Sequence, residues 1–216
     1  MKYCCSALAL GMLVSCVLLG CGDRDAAETL PIASSSKPRF SPETITLKEV
    51  KDSDLKELFD ERLVFVDASG TEWVAPKGTR TDGASVPRLA LPLTDGRFDR
   101  TFLKAAVIHD AYCQSDNETV SPNQYRSRGW RAVHRMFFEA SIAGGASQET
   151  ALLMFAAVWL GGPRWDDPEH SLDAVPVERL NAEYEACKEW IEREHPTVEE
   201  VEAWMDRREE ALRAPR

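Results

Sequence analysis

FLKAAVIHDAYCQ, from Phe102 to Gln114, carries a His–Asp pair in the middle of an apolar stretch. On a helix, His109 shares a face with Phe102 and Cys113, and Asp110 lies one residue further round. A carboxylate on an apolar face costs free energy unless it is paired or bound to a cation. The stretch therefore predicts a core helix that holds either a functional site or a structural ion pair.

Two more helices are predicted after this one. RSRGWRAVHRMFFEASIAGG, residues 126–145, places His134 on a face with aromatic residues and stops at two glycines. SQETALLMFAAVWLGG, residues 147–162, begins at a good N-cap, Ser147, and is apolar nearly all round. It is too short to cross a bilayer, so it is predicted to be a buried core helix.

The region before the helices reads as strands and loop. RLVFVDASGTEWVAP, residues 62–76, predicts two strands joined by a turn at Ser69–Gly70. KGTRTDGASVPRLALPLTDGR, residues 77–97, is rich in Gly, Pro and Asp and predicts a long loop, a feature often tied to function. Thr101 is expected to cap or start the first helix. The predicted class is α+β, mostly α, with a small N-terminal β-hairpin, a long loop, three core helices and acidic C-terminal helices.

The C-terminal part is acidic and helical. Residues 166–216 hold 16 acids and 7 bases, and Thr197–Glu200 form a capping-box sequence. A protein partner could bind through these helices. The side chains expected to dock them on the core are Trp190, Ile191, Val201 and Trp204. The whole chain has a net charge of −10 and no basic stripe, so a nucleic-acid partner is not expected.

The N-terminus reads as a lipoprotein signal. An uncharged apolar run follows Lys2 and ends in LLGC, residues 18–21, before the chain turns polar. This is a lipobox pattern, which predicts an acylated Cys21, such as by palmitate, as the mature N-terminus; an uncleaved membrane anchor is the alternative. The expected location is the bacterial cell envelope, lipid-anchored and periplasm-facing, with the outer membrane favoured over the inner because Gly22 follows the cysteine.

Four segments follow from these patterns: a signal peptide over 1–20, a lipid-anchored flexible tether over 21–42, a core domain over 43–165 and an acidic helical extension over 166–216. Cleavage before Cys21 leaves Cys113 and Cys187, so one disulfide between them is an open alternative to two free thiols.

His134 connects the second predicted helix to the His–Asp pair. Consecutive helices often pack antiparallel, which would bring His134 near His109. Together with Asp110, and with Asp82 from the loop, they form a plausible set of ligands for a divalent metal. The alternative is structural: Asp110 pairs with Arg128 or Arg131, and His109 is a core histidine.

Several motifs resemble a bacterial and phage family of unknown function, domain-of-unknown-function family 1353. They are WVAPKGTRTDGASVPR, AAVIHDAY, SRGWRAVHRMFFEA and AAVWLGGPRW, and the likeness runs from Leu63 to Trp165. The resemblance implies a family, in a lipoprotein context, but no activity.

The order of motifs is also similar, more weakly, to bacterial and fungal secreted phospholipase A2. That resemblance implies His109 as the general base and Asp110 as a calcium ligand beside a loop at Asp82–Gly83. Here Ala84 stands where that class has Cys, and His134 stands where its second helix has the Asp that orients the base. Two hypotheses follow: a metal-dependent ester hydrolase using calcium or zinc, with His109 and His134 catalytic, or a non-catalytic envelope or phage-derived interaction protein.

Overall fold

The computed structural model describes residues 37–83 and 99–214. Cys21, the predicted signal peptide, most of the predicted tether and residues 84–98 of the predicted loop lie outside this part. The described strands are β1 Arg39–Ser41, β2 Leu47–Glu49, β3 Lys56–Leu58, β4 Arg62–Val66, β5 Glu72–Pro76 and β6 Arg80–Thr81. The described α-helices are α1 Arg100–Cys113, α2 Trp130–Gly144, α3 Gln148–Gly161, α4 Val177–Glu194 and α5 Val198–Arg213. The predicted α+β class, mostly α, is confirmed.

The strands form two small antiparallel sheets, in the orders β1-β4-β5 and β2-β3-β6. The predicted hairpin is the β4–β5 pair, in which Phe65 lies opposite Trp73. β1 lies inside the predicted tether of residues 21–42, so the chain is already part of a sheet before the predicted tether ends. The strand forms because Phe40 is buried against Phe65, with ring centroids 5.0 Å apart, while Arg39 and Ser41 stay exposed.

Helix α1 begins at Arg100, one residue before Thr101, which was expected to cap or start it. The carboxylate of Asp99 accepts a hydrogen bond from the backbone N–H of Thr101 at 2.8 Å, so Asp99 is the N-cap and Thr101 lies inside the first turn. The predicted loop also contains β6, whose two residues pair with β3. A strand this short leaves no alternation for a sequence pattern to detect.

The limits of α2 and α3 follow the predicted signals. Gly145 ends α2 in a left-handed conformation with φ of 110°, and the Ser147 hydroxyl caps α3 by accepting from the N–H of Thr150. Every residue from 151 to 160 is buried, which confirms a core helix. No helix in the described part of the chain has the length and apolar character needed to span a membrane.

The C-terminal helices complete the core. Thr197 and Glu200 form the predicted capping box, Ile191 and Val201 are fully buried, and the half-buried rings of Trp190 and Trp204 stack with centroids 5.8 Å apart. One hydrophobic cluster extends from Phe40 to Leu212. A chain that starts at Gly22 therefore retains all of the described core. Within that core Cys113 and Cys187 are both free thiols, so the disulfide alternative is not realised.

Candidate functional site

The His–Asp pair lies where α1 packs against α2. The side chains of His109 and Asp110 are buried, and His134 of α2 is fully buried beside them. His109 Nε2 lies 3.0 Å from His134 Nδ1, and the two rings stack with centroids 5.1 Å apart. The expectation that the two helices would bring these histidines together is therefore met.

The surroundings of His134 decide which nitrogen carries its proton. Its Nε2 has no hydrogen-bond partner among the described residues, and a Cβ built on Gly162 would lie 2.7 Å from it. A bare nitrogen without a partner costs less than a buried N–H without one. In the chain without a bound ion, this difference in cost favours the proton on Nδ1, which then donates to His109 Nε2. Burial first, and then the charges of His109 and Arg164, hold the pKa of His134 well below its ordinary value, so the ring is neutral.

Asp110 is fixed by the strand that precedes the loop. The Thr81 hydroxyl donates to Asp110 Oδ2 at 2.6 Å and accepts from the backbone N–H of Gly83 at 3.0 Å. Asn117 adds a second connection, since its Nδ2 donates to the carbonyls of both Asp110 and Arg80 at 2.8 Å. Burial raises the pKa of Asp110, and the neighbouring imidazole of His109 opposes that rise.

Neither arginine proposed as a partner of Asp110 contacts it. Arg131 binds Asp206 at 2.7 Å, and Arg128 donates to the carbonyl of Glu72 and lies over the ring of Trp73. The burial of the Asp110 carboxylate is therefore not offset by an ion pair with Arg128 or Arg131.

Cys113 completes a set of three donors on one face of α1. Its Sγ lies 3.3 Å from His109 Nδ1, and Asp110 Oδ1 lies 3.6 Å from the same nitrogen. Single ligand atoms of His109, Asp110 and Cys113 all lie within 4.8 Å of one another. Burial raises the pKa of the Cys113 thiol well above its ordinary value, and the charges of Asp110 and Asp82 raise it further. Sequence reasoning placed Cys113 on this face by the i, i+4 spacing without assigning it a role.

The other two predicted site residues lie outside this donor set. His134 has its Nδ1 on His109 and its Nε2 against Gly162, so neither nitrogen is open to a metal ion. Asp82 is close enough for its charge to raise the pKa values of Asp110 and Cys113, but it does not join the cluster. The structure therefore brings His109, Asp110 and His134 together and places Cys113 beside His109 and Asp110. The metal-binding roles of Asp110 and Asp82 and the catalytic roles of His109 and His134 stay predictions.

This donor set distinguishes between the two candidate metals. Calcium takes oxygen ligands in large numbers, whereas zinc takes imidazole nitrogen, thiolate and carboxylate together. Ligands around a tetrahedral zinc lie about 3.5 Å apart, given metal–ligand bonds of ~2.0–2.3 Å. The separations of 3.3 and 3.6 Å around His109 Nδ1 fit that spacing. Three protein donors with a fourth position left for water is the arrangement of catalytic zinc sites.

The site lies within a segment that matches a known family. Residues 58–158 match the family model described as "Protein of unknown function (DUF1353)". This segment belongs to the DUF1353 family. The DUF1353 segment begins in β3 and ends inside α3, so it contains Thr81, α1 and α2 but none of α4 and α5.

Two curated relatives each match about half of the chain. Uncharacterized protein y4iH of Sinorhizobium fredii is 38% identical over 101 residues, which is 47% of this chain and 38% of that protein. Uncharacterized protein y4jT of the same organism is 35% identical over 116 residues, 53% of this chain and 32% of that protein. The chain thus spans about a third of each relative's length. No solved structure matches the chain significantly.

Proposed function

We propose that the DUF1353 segment is a zinc-dependent ester hydrolase, with His109, Asp110 and Cys113 as the metal donors. The observation that carries the proposal is the convergence of these three donors, from a single helix, within 4.8 Å. A zinc ion held by these residues would supply a Lewis acid and would lower the pKa of a bound water to about 7. The role of general base, which the phospholipase resemblance gives to His109, suits the geometry less well because both of its nitrogens face protein groups.

The neighbouring side chains have supporting roles in this proposal. A metal ion on His109 Nδ1 would require the proton of that ring on Nε2, so His109 would donate to His134 Nδ1 over the 3.0 Å contact and the proton of His134 would move to its Nε2. That hydrogen bond would orient the imidazole of His109, as outer hydrogen bonds orient metal-binding histidines. Thr81 fixes the carboxylate of Asp110 from the opposite side. The Cys113 thiol must lose its proton to bind a metal, and its raised pKa makes that loss harder. Metal affinity is therefore expected to rise with pH.

The test is ester hydrolysis by the chain that starts at Gly22, with a nitrophenyl ester of a short fatty acid as substrate. Zinc should produce turnover that a chelator removes, and Asp110→Asn should abolish the zinc-dependent rate. Cys187→Ser, a change at a buried cysteine on α4, serves as the matched control and should retain it. A rate that does not respond to zinc, or that survives Asp110→Asn, excludes this function.

A second candidate function is supported by the way the site is closed. The hydroxyl of Thr81 connects Asp110 to β6, and the side-chain amide of Asn117 connects β6 to the backbone of α1 at Asp110. His134 is a neutral core residue. In this alternative the chain is a non-catalytic envelope or phage-derived interaction protein, and the acidic faces of α4 and α5 contact a basic protein partner. It predicts that His109→Ala lowers the melting temperature sharply and that no zinc-dependent hydrolysis exists to be lost.

The cellular location belongs to the same proposal. The lipobox at residues 18–21 supports acylation of Cys21 and anchoring in the bacterial outer membrane, with the domain facing the periplasm. Mass spectrometry of membrane fractions should find an acylated N-terminal Cys21. Cys21→Ser should leave an unprocessed precursor, and a normally processed Cys21→Ser protein contradicts the assignment.

A further inference from the structure

Two neighbouring grooves near the start of the described chain are lined by cationic side chains. One groove, of about 460 Å³, lies between Arg100 and Lys104 of α1 and the turn at Glu43. The other, of about 510 Å³, lies between Lys37, Arg39 and Lys104. Glu43 and Lys104 line both grooves, which makes them one continuous surface. The four cations Lys37, Arg39, Arg100 and Lys104 are called the basic patch below.

The cations of the basic patch lack acidic partners in the described part of the chain. None of the four forms an ion pair with a described residue, whereas Arg131, Arg135, Arg164 and Arg208 each do. Lys104 is held in place, because its Nζ donates to the carbonyl of Glu43 at 2.8 Å and lies 4.6 Å above the ring of Phe40. Glu43 is the single carboxylate among the described residues that line the grooves. In a chain of net charge −10, the patch is a local reversal of sign.

The position of the basic patch in the chain relates it to the predicted anchor. Lys37 is the first described residue and follows Cys21 by 16 positions. A chain spans at most about 3.6 Å per residue, so the lipid on Cys21 would lie within ~58 Å of the patch. Ile142 is an exposed apolar residue with 39% of its surface accessible. Its neighbours Ala143 and Gly144 line the grooves, so an apolar tip stands beside the cations.

We propose that the basic patch binds the phosphates of anionic phospholipids and sets the orientation of the domain on the membrane. Cations beside an exposed apolar side chain are the chemistry that peripheral proteins use at anionic bilayers. The inference rests on the proposed anchoring through Cys21, which keeps the patch within reach of a bilayer. An anionic surface repels the acidic helices α4 and α5 and attracts the basic patch. The domain therefore favours an orientation in which the basic patch faces the membrane and these helices face away from it.

The experiment measures sedimentation of the chain that starts at Gly22 with lipid vesicles at low salt. This chain lacks Cys21, so any binding comes from the folded domain. We expect it to sediment with vesicles of mixed phosphatidylglycerol and phosphatidylcholine, to stay in solution with pure phosphatidylcholine, and to be released by added salt. Each cation near an anionic surface contributes about fivefold, so replacing Lys37, Arg39 and Arg100 by Gln should weaken binding on the order of 100-fold.

A matched control removes three other exposed cations that form no ion pair with a described residue. The control variant carries Lys51→Gln, Arg62→Gln and Arg207→Gln, has the same net charge as the patch variant and should bind as the parent chain does. Equal loss in the two variants means that net charge alone governs binding, which overturns the proposal. Absence of sedimentation with the anionic vesicles also overturns it.

A final arm separates a membrane surface from a soluble anion. Titration with inorganic phosphate that produces binding at the basic patch, in a chain that ignores anionic vesicles, assigns the patch to a free anion and overturns the membrane inference. Acylation of Cys21 is read separately by mass spectrometry, and hydrolysis by the zinc assay. Failure of the membrane inference is therefore distinguishable from failure of the anchor or of the hydrolase.

Discussion

His109 of α1 and His134 of α2 are joined by a 3.0 Å contact between Nε2 and Nδ1 inside the core. The contact orients His109 so that its other nitrogen faces Asp110 and Cys113. Gly162 lies against the outer edge of His134, where any side chain would collide with Nε2. The geometry of the donor set on α1 is therefore supported from α2 and from the residue that follows α3.

Removing the His134 ring should destabilise the fold. His134→Ala deletes a fully buried ring and leaves His109 Nε2 without its partner, at a cost of about 2–4 kcal/mol in the free energy of unfolding. His134→Asn can keep a hydrogen-bonding nitrogen near the Nδ1 position and should cost less. Urea denaturation measures both, with the exposed His170→Ala as the control. A His134→Ala chain as stable as the control contradicts the packing role.

The pH dependence of stability should carry the signature of His134. Its pKa in the folded chain lies well below the ordinary 6.5, so between these two values the unfolded chain binds a proton that the folded chain does not. Stability should therefore fall as pH drops below 6.5, by up to about 1.4 kcal/mol per pH unit.

The raised pKa of Asp110 acts in the opposite direction, because the folded chain holds that proton more firmly. His134→Asn shares the Asp110 effect, so the difference between this variant and the parent isolates His134. The difference in unfolding free energy between the parent chain and His134→Asn should become smaller as pH falls. A gap independent of pH from 7 down to the acid transition would mean that His134 does not titrate in this way.

Two ion pairs on α5 offer a matched test of burial. Arg164–Glu209 and Arg131–Asp206 both have a separation of 2.7 Å, but the first pair is buried and the second is half exposed. Glu209→Ala strands a buried guanidinium and removes the acceptor of Trp159 Nε1, so it should cost about 3–5 kcal/mol. Asp206→Ala should cost at most about 1 kcal/mol. Chemical denaturation of both variants checks the difference, and equal costs would refute the argument from burial.

The DUF1353 segment should not fold when it is isolated. The family match stops at residue 158, inside α3, and every residue from 151 to 160 of that helix is buried with α4 and α5 among its neighbours. A fragment of residues 58–158 exposes this apolar surface and should show no cooperative unfolding. The longer chain that starts at Gly22 is the control. A cooperative thermal transition in the fragment would show that the C-terminal helices are dispensable.

The helices were predictable because their signals are local and repeated. Helix ends are marked in the sequence by residue types that cap the backbone, as Ser147, Gly145 and the Thr197–Glu200 capping box do here. The strands β1, β2, β3 and β6 were not predicted, because two or three residues are too few to show an alternating pattern. What creates them is a contact distant in sequence, such as Phe40 on Phe65.

The site was predictable only in part, for a related reason. The proximity of His109 and His134 followed from two helices packing antiparallel. The role of Thr81 depends on how the residues around β6 lie across α1, which no spacing in the sequence records. Cys113 was on the correct face of α1, but its closeness to His109 Nδ1 depends on side-chain rotamers. Arg131 pairs instead with Asp206 of α5, far along the chain, and Arg128 binds the carbonyl of Glu72 and lies over the ring of Trp73.

Zinc titration by calorimetry is the most direct test of the central claim. The chain that starts at Gly22 should bind one zinc ion, more tightly as pH rises, because the Cys113 thiol releases a proton. Asp110→Asn and Cys113→Ser should each abolish that binding, and Cys187→Ser should leave it intact. No zinc binding by the parent chain, or undiminished binding by the Asp110→Asn and Cys113→Ser chains, would contradict the assignment of a metal centre to α1.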